Sequence, residues 1–306
     1  MGEVVSALAP VFLIIALGWI ARESRIASPE SFGAVNRFGY FVLYPAFLFT
    51  TVTSADFTSG DALPFVLGVL AGFSVMIVLG LGLRLIFRGD GPAYTSVFQG
   101  AVRWNGFPLL AAATALYGPQ GLQLIGLAFG PLVFLVNIVS VMVLARWGAA
   151  KATSWRAVLD QIVANPLILG CAAGLLAQAL RLTELGPVSE ALRLVGQAAM
   201  PVALMTVGAG LDFKSLRADG VKVGVASFFK LLVAPFVLWS AATLCGASPM
   251  AAAIAAGIGA TPVAAAGYTL AREMGGDVRL IAAIITATTL ISFITMPIAI
   301  GLALPQ

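Results

Sequence analysis

The chain alternates long apolar runs with short polar stretches, and the apolar runs have the length of membrane-spanning helices. A helix needs about 20 predominantly apolar residues to cross a bilayer. The predicted helices, numbered one to ten, lie near residues 4–21, 32–53, 63–87, 93–117, 121–147, 158–180, 188–211, 221–244, 249–273 and 279–303. The pattern therefore predicts an all-α polytopic membrane protein with ten transmembrane helices.

Composition strengthens this prediction. Of 306 residues, 60% are hydrophobic and only 10% are charged, with a mean hydropathy of +1.02. Soluble domains carry about 25% charged residues, so a soluble globular protein is excluded and a lipid bilayer is the expected surrounding. The first apolar run starts at Val4 with no basic region before it. We expect a first membrane helix there and not a cleaved signal peptide.

Basic residues are distributed unequally between the predicted loops. Loops on one side contain Arg22, Arg25, Arg37, Arg84, Arg88, Arg146, Lys151, Arg156, Lys214, Arg217, Lys222, Arg272 and Arg279. Loops on the other side, with both termini, contain only Arg181 and Arg193. The positive-inside rule therefore predicts that both termini lie outside, on the periplasmic side. The scattered charges form no run suited to nucleic acid. The two remaining basic residues, Arg103 and Lys230, fall inside predicted helices.

The two halves of the chain are related by an internal repeat. A shift of 156 residues superimposes Pro10 on Pro166, Pro45 on Pro201 and Asp56 on Asp212, among other pairs. Each repeat, 1–147 and 157–306, holds five predicted helices, and 148–156 is the predicted cytoplasmic connecting loop. Because five is odd, the second repeat enters the membrane from the opposite face, and the sequence predicts inverted repeats.

Helices four and nine are each interrupted by residues that break a helix. The first break is Arg103-Trp104-Asn105-Gly106-Phe107-Pro108, and the second is Gly257-Ile258-Gly259-Ala260-Thr261-Pro262. Breaks at membrane depth occur where they line a cavity or are buried in protein, and transporters build binding sites from them. We expect new half-helices to start at Pro108 and Pro262, with Thr261 as an N-cap. Their N-termini would together attract an anion.

The candidate substrate-binding residues lie at these breaks or on helices near them. They are Arg103, Asn105, Gly106, Pro108, Asn137, Lys230, Gly259, Thr261 and Pro262. An arginine near the bilayer centre costs about 3 kcal/mol or more and is usually functional.

For each polar candidate, a structural interpretation stands beside the functional one. Arg103 either binds substrate or caps carbonyls at the break, or extends to the interface. Lys230 either reaches substrate or extends to the cytoplasmic surface. Asn105 either binds a carboxylate or satisfies the broken backbone, and Asn137 either bonds a neighbouring helix or touches substrate. For Tyr268, Thr288 and Ser292, packing between helices is the favoured interpretation.

Several chemical classes lack the residues they require. No predicted helix centre holds Asp or Glu, and the chain has no His, so a proton relay through the protein is not expected. Cys171 and Cys245 lie in apolar sequence without ligating partners, so we expect no metal site and no cofactor. Hydrolytic residue sets and a phosphate-binding loop are also missing. We therefore expect neither an enzyme nor an ATP-driven pump.

The two broken helices, with Thr261-Pro262-Val-Ala and Tyr268-Thr-Leu-Ala-Arg-Glu-Met-Gly-Gly-Asp277, resemble the auxin efflux carrier family over essentially the whole chain. That family includes plant PIN-type carriers and bacterial malonate-type permeases, and it is similar in fold to bile acid/sodium symporters. The resemblance implies an elevator-like carrier, with helices one, two, six and seven as a scaffold and helices three to five and eight to ten moving the site. It also implies a homodimer through the scaffold. Asn105 matches the family's crossover asparagine, whereas Thr261 replaces its partner.

These observations predict a secondary carrier of a small organic anion, a carboxylate, in the inner membrane. The alternatives are a sodium-coupled symporter of the bile acid transporter type and, with less support, a membrane channel or sensor. A channel or a sensor has little need for paired broken helices.

Overall fold

The computed structural model describes residues 2–55, 60–149, 163–182 and 186–303, and this part of the chain is helical without β-strands. The α-helices are α1 (Gly2–Glu23), α2 (Pro29–Phe38), α3 (Tyr44–Thr53), α4 (Ala62–Gly82), α5 (Gly91–Val102), α6 (Gly106–Trp147), α7 (Pro166–Ala179), α8 (Pro187–Gln197), α9 (Ala199–Ala209), α10 (Gly220–Phe228), α11 (Ala234–Leu244), α12 (Pro249–Ala260), α13 (Ala266–Met274) and α14 (Val278–Ala303). The predicted loop 148–156 and the predicted start of helix six at residue 158 lie mainly or wholly outside the described residues.

Six helical stretches in the described ranges are long and apolar enough to cross a membrane. They are Gly2–Glu23, Ala62–Leu85, Gly91–Trp147, Pro187–Ala209, Gly220–Leu244 and Val278–Ala303. Two shorter apolar helices, Pro166–Ala179 and Pro249–Ala260, accompany them. The chain is therefore a multi-pass membrane protein.

Helix α6 is divided by Gly118 into two parts. Its 42 residues would extend for about 63 Å as one straight helix, roughly twice the hydrocarbon thickness of a bilayer. Gly118 has φ 59° and ψ −145°, which lies outside the helical region, and glycine adopts such angles at little cost. The boundary between predicted helices four and five, 93–117 and 121–147, falls at this position.

Two π-helical turns each end two residues before a proline. Gly39–Leu43 joins α2 to α3 ahead of Pro45, and Phe229–Val233 joins α10 to α11 ahead of Pro235. A proline inside a helix lacks a donor and clashes with the preceding turn. The wider π turn is a common way to accommodate this disturbance without ending the helix.

The described helices pack as two groups. In the first group α1 packs along α9, and α3 packs on both α7 and α8. Gly18 and Gly208 allow α1 and α9 to approach closely, because a Cβ at Gly18 would lie 2.0 Å from the Met205 carbonyl oxygen. In the second group α4 packs on α11, α11 on α12, and α14 on both α12 and α5. Helix α6 packs within the second group and also contacts α1, α3 and α7 of the first.

Hydrogen bonds join loops that the sequence assigns to the same side of the membrane. On the predicted cytoplasmic side the Lys222 ammonium contacts Asp90 at 3.0 Å, and Ala149 N–H donates to the Gly275 carbonyl at 2.7 Å. On the opposite side Ser248 N–H donates to the Asp61 carboxylate at 2.8 Å.

Candidate functional site

The two helix breaks lie against each other. Helix α5 ends at Val102 and α6 begins at Gly106, while α12 ends at Ala260 and α13 begins at Ala266. The Asn105 N–H donates to the Pro262 carbonyl at 2.9 Å. This bond joins the two non-helical segments directly, so the broken helices meet where both have lost their regular backbone hydrogen bonds.

The predicted start of the first half-helix at Pro108 is wrong by two residues. Asn105 is the N-cap of α6, and its side-chain oxygen accepts from Phe107 N–H at 3.3 Å. Gly106 and Phe107 therefore already belong to the helix, and Pro108 is its third residue. Asparagine is among the best N-cap residues, and this local preference prevails over the preference of proline for the first position.

The second break differs from its prediction in a similar way. Thr261 does not cap a new helix; it is the C-cap of α12, with ψ 150°, and its hydroxyl donates to the Ile258 carbonyl at 2.8 Å. A residue before proline is driven into extended conformations, which explains why α12 ends here. Helix α13 starts four residues after Pro262, at Ala266, without a side-chain cap.

Arg103 lies in the first break and is only 5% exposed. One guanidinium nitrogen, Nη2, donates to Asn137 Oδ1 at 2.8 Å, so Asn137 bonds a neighbouring helix as the structural interpretation expected. Nε and Nη1 are buried and have no hydrogen-bond partner among the described residues. Leaving buried donors of a charged group unpaired costs about 1–3 kcal/mol or more. An anion with two acceptor oxygens would satisfy them.

Gln99 is a site residue that the sequence analysis missed. It lies one turn before Arg103 on α5, is fully buried, and neither its amide nitrogen nor its amide oxygen has a partner in the described part of the chain. The signal was present, since a carboxamide stands four residues before a membrane-embedded arginine in otherwise apolar sequence. Residues at that spacing share a helix face.

The first turn of α13 approaches both side chains. A Cβ built on Gly267, the second residue of α13, would lie 3.4 Å from Arg103 Cδ and 3.6 Å from Gln99 Oε1. The positive end of the α13 dipole is therefore next to the guanidinium group.

Lys230 has a different set of partners. It is 1% exposed, and its ammonium donates to the Gly259 carbonyl at 2.8 Å and the Ile258 carbonyl at 3.4 Å. The extension to the cytoplasmic surface considered for Lys230 is therefore wrong in this structure. The cation lies at the negative end of α12, where it bonds carbonyl groups of the last helical turn.

The three remaining polar candidates differ in their contacts. The Thr288 hydroxyl accepts from Val263 N–H at 3.2 Å and donates to Ile284 O at 2.7 Å, which holds the second break against α14. Ser292 donates to the Thr289 carbonyl. Tyr268 is 39% exposed on α13.

Two cavities lie away from Arg103. One, of about 420 Å³, is lined by Gly60, Asp61, Gln120, Gln123, Leu124, Leu127 and Met250. The other, of about 330 Å³, is apolar and lies between α11, α12 and α14. Neither has Arg103 or Gln99 in its lining; these two side chains are buried, at 5% and 0% exposure. The described residues contain no cluster of three or more potential metal ligands.

Comparison with known proteins identifies the class to which this fold and site belong. The chain belongs to the auxin efflux carrier family, because the family model described as "Membrane transport protein" matches residues 3–300. The resemblance inferred from the two breaks is thereby confirmed.

A protein of Rhizobium meliloti (strain 1021) named "Putative malonate transporter" is 24% identical over 302 residues. The match covers 97% of this chain and 94% of that relative.

Proposed function

We propose that this protein is a secondary carrier that moves a small carboxylate across the inner membrane, with the anion bound where the two broken helices meet. The observation that carries the proposal is the buried Arg103 guanidinium with Nε and Nη1 unpaired. A charged donor pair without partners inside an apolar protein is stable only at considerable cost, and a carboxylate provides the matching bidentate acceptor. Family membership and the malonate transporter named among its relatives support the same class of substrate.

The proposed binding residues have two kinds of role. Arg103, with Asn137 orienting it, contacts the carboxylate, and the start of α6 provides backbone donors nearby. The other residues proposed for the site are Asn105, Gly106 and Pro108 at the first break, and Gly259, Thr261, Pro262 and Lys230 around the second. In this arrangement Lys230 stabilises the end of α12 and leaves the substrate charge to Arg103.

We further propose ten transmembrane helices in two inverted repeats and an elevator-like movement. In this proposal α1, α2, α3, α7, α8 and α9 form the scaffold, which corresponds to predicted helices one, two, six and seven. The other helices carry the site. The packing of α1 on α9 and of α3 on α7 has the symmetry expected of such repeats, and the scaffold would provide the surface of a homodimer. The orientation with both termini outside remains part of the proposal.

A sodium-coupled symporter is the second candidate. Carbonyl oxygens at a helix break are the groups that bind sodium in such carriers, and here the carbonyls of Ile258 and Gly259 are held by the Lys230 ammonium. This contact favours a carrier that does not need sodium. Replacing sodium by choline on both sides of the membrane should leave uptake unchanged.

The test of the proposed function is transport by the purified protein in proteoliposomes. We expect saturable uptake of a labelled small carboxylate and counterflow, in which unlabelled substrate inside accelerates entry of label from outside. A channel would conduct without counterflow, and a sensor would give neither signal. Screening mono- and dicarboxylates in the same assay would define the substrate.

A further inference from the structure

The buried cluster around Arg103 has one positive charge available to a ligand. The other buried cation of the described residues, Lys230, is bonded to the carbonyls of α12. The buried polar residues in the described ranges include no Asp or Glu. Charge balance in a desolvated site therefore fits a ligand with one negative charge, since a second, uncompensated charge is expensive to bury.

Gln99 adds a requirement for the rest of the ligand. Its amide nitrogen is a donor and its amide oxygen is an acceptor, and both atoms are buried without partners. An ionised carboxylate only accepts hydrogen bonds, so it would leave Gln99 Oε1 facing another acceptor. A ligand group that both donates and accepts would satisfy the two amide atoms together.

The geometry places this second group beside the first. A Cβ built on Gly267 would lie 3.4 Å from Arg103 Cδ and 3.6 Å from Gln99 Oε1, so the two side chains lie beside each other against the first turn of α13. The two polar groups of the ligand must therefore be separated by only a few bonds. A protonated carboxyl group fits Gln99, because its O–H donates to Oε1 while its carbonyl oxygen accepts from Nε2.

We propose that the carried species is a short organic acid with one negative charge, and that a dicarboxylate binds as the hydrogen dicarboxylate. This inference rests on the proposed function and specifies the substrate of the same site. The ionised carboxylate pairs with Arg103, and the protonated carboxyl pairs with Gln99. The proton crosses on the substrate and needs no relay in the protein.

The first experiment measures the pH dependence of uptake with two matched substrates in proteoliposomes at clamped membrane potential. Malonate is the dicarboxylate, and malonamate is its half-amide, whose neutral carboxamide donates and accepts at every pH used. We expect the half-saturation concentration of total malonate to fall by about tenfold for each unit of acidification above the second pKa of malonate, which follows the fraction present as the monoanion. The value for malonamate should stay constant.

Malonamate is also the control for titration of the protein. The charged and ionisable groups on the elements around Arg103 include Tyr40 and Lys230. A change in either would alter uptake of both substrates equally. Malonate uptake that is independent of pH, or that follows the same profile as malonamate, would overturn the proposal.

The second experiment assigns the two polar groups of the ligand to the two side chains. Gln99→Leu removes the unpaired amide and keeps a similar volume, so folding should be retained. It should weaken malonamate affinity by roughly 10-fold or more, because a group built to pair with the ligand is lost. Propionate, which has no second polar group, should bind equally well to the parent and to Gln99→Leu. Arg103→Ala should weaken the binding of malonamate and of propionate.

The outcomes separate the inference from the function on which it rests. If Arg103→Ala weakens the binding of both ligands but Gln99→Leu weakens the binding of propionate as much as that of malonamate, the proposed site at Arg103 is supported and the assignment of Gln99 is wrong. If Arg103→Ala changes neither ligand, the proposed site itself is wrong.

Discussion

Arg103 is a buried cation whose hydrogen-bonding capacity is only partly used. Asn137 holds one nitrogen at 2.8 Å and fixes the direction of the guanidinium plane, so the two unpaired nitrogens face a defined position. This pre-organisation reduces the entropy that binding would otherwise cost. The unpaired nitrogens of Arg103 and the cost of burying its charge are both consistent with a functional role.

Replacing Arg103 should affect binding more than folding. Arg103→Ala should lose a charge-assisted hydrogen bond worth about 1.5–3 kcal/mol, and so weaken affinity roughly 10- to 150-fold. Arg103→Lys should recover only part of the loss, because lysine restores the charge without the planar fork. Binding of carboxylates to purified, monodisperse variants provides the measurement. Unchanged affinity with reduced expression of Arg103→Ala would identify a structural arginine.

Asp90 combines two stabilising contacts at the start of α5. Its carboxylate accepts from Ala93 N–H at 3.0 Å as the N-cap, and it pairs with the Lys222 ammonium at 3.0 Å. The Ala93 N–H, followed by Lys222, holds the pKa of Asp90 below its ordinary value. The pair joins the first turns of α5 and α10.

Two substitutions separate the contributions of cap and ion pair. Asp90→Asn keeps the cap and should cost at most about 1 kcal/mol for an exposed ion pair. Asp90→Ala should cost about 1 kcal/mol more by removing the cap. In thermal unfolding of the purified proteins, the parent should have the highest melting temperature, Asp90→Asn a lower one and Asp90→Ala the lowest. Equal melting temperatures for the two variants would exclude a contribution from the cap.

The sign of the pH effect follows from the lowered pKa of Asp90. Its stabilising contribution is fully present above the unfolded pKa of aspartate, about 3.9, and is lost as the pH falls through the lower folded value. Asp90→Asn should show less loss of stability over that acidic range than the parent.

The second break depends on Pro262 at the level of the helix. With alanine there, Thr261 is no longer forced into an extended conformation, and α12 can continue beyond Ala260. The segment whose carbonyl accepts from Asn105 would then be displaced. Because small displacements of a site are costly, Pro262→Ala should lower turnover roughly 10- to 100-fold, while part of the substrate binding remains.

A matched control is available in the first helix. Pro10 lies inside the continuous helix α1, away from both breaks, so Pro10→Ala should leave turnover close to that of the parent. Initial rates of counterflow for the two variants test the difference. Equal losses in both would show that the effect of Pro262 is not specific to the break.

The orientation of the whole molecule can be tested with a native cysteine. Cys245 is exposed in the loop between α11 and α12, which the charge distribution places outside, and Cys171 is buried. In a Cys171→Ala background, a membrane-impermeant maleimide should label Cys245 in right-side-out vesicles. In a variant that lacks both native cysteines, Ser24→Cys should label only after permeabilisation. The reverse pattern would invert the topology.

Energy coupling is a second property of the whole carrier. The buried polar residues of the described chain include no carboxylate or histidine that could carry a proton. Uptake of malonamate, which cannot bring a proton itself, should therefore respond to membrane potential and persist when an ionophore collapses the pH gradient. Strict dependence of malonamate uptake on that gradient at clamped potential would disprove this expectation.

The sequence determined the features that depend on residue type alone. Apolar runs of membrane length, the helix breaks at Asn105-Gly106 and Thr261-Pro262, and the buried position of Arg103 follow from hydrophobicity, missing backbone donors and the cost of charge in lipid. These causes act within one segment, so they can be read before any packing is known.

Tertiary structure decided the features that join distant segments. The bond between Asn105 and Pro262, the partners of Lys230 that lie 28 and 29 residues away, and the unpaired state of Gln99 depend on how the helices pack. A lysine that can reach either solvent or a helix end has no intrinsic preference in sequence. The packed structure provides carbonyls within 3.4 Å and so selects the second position, because a buried ammonium requires hydrogen-bond acceptors.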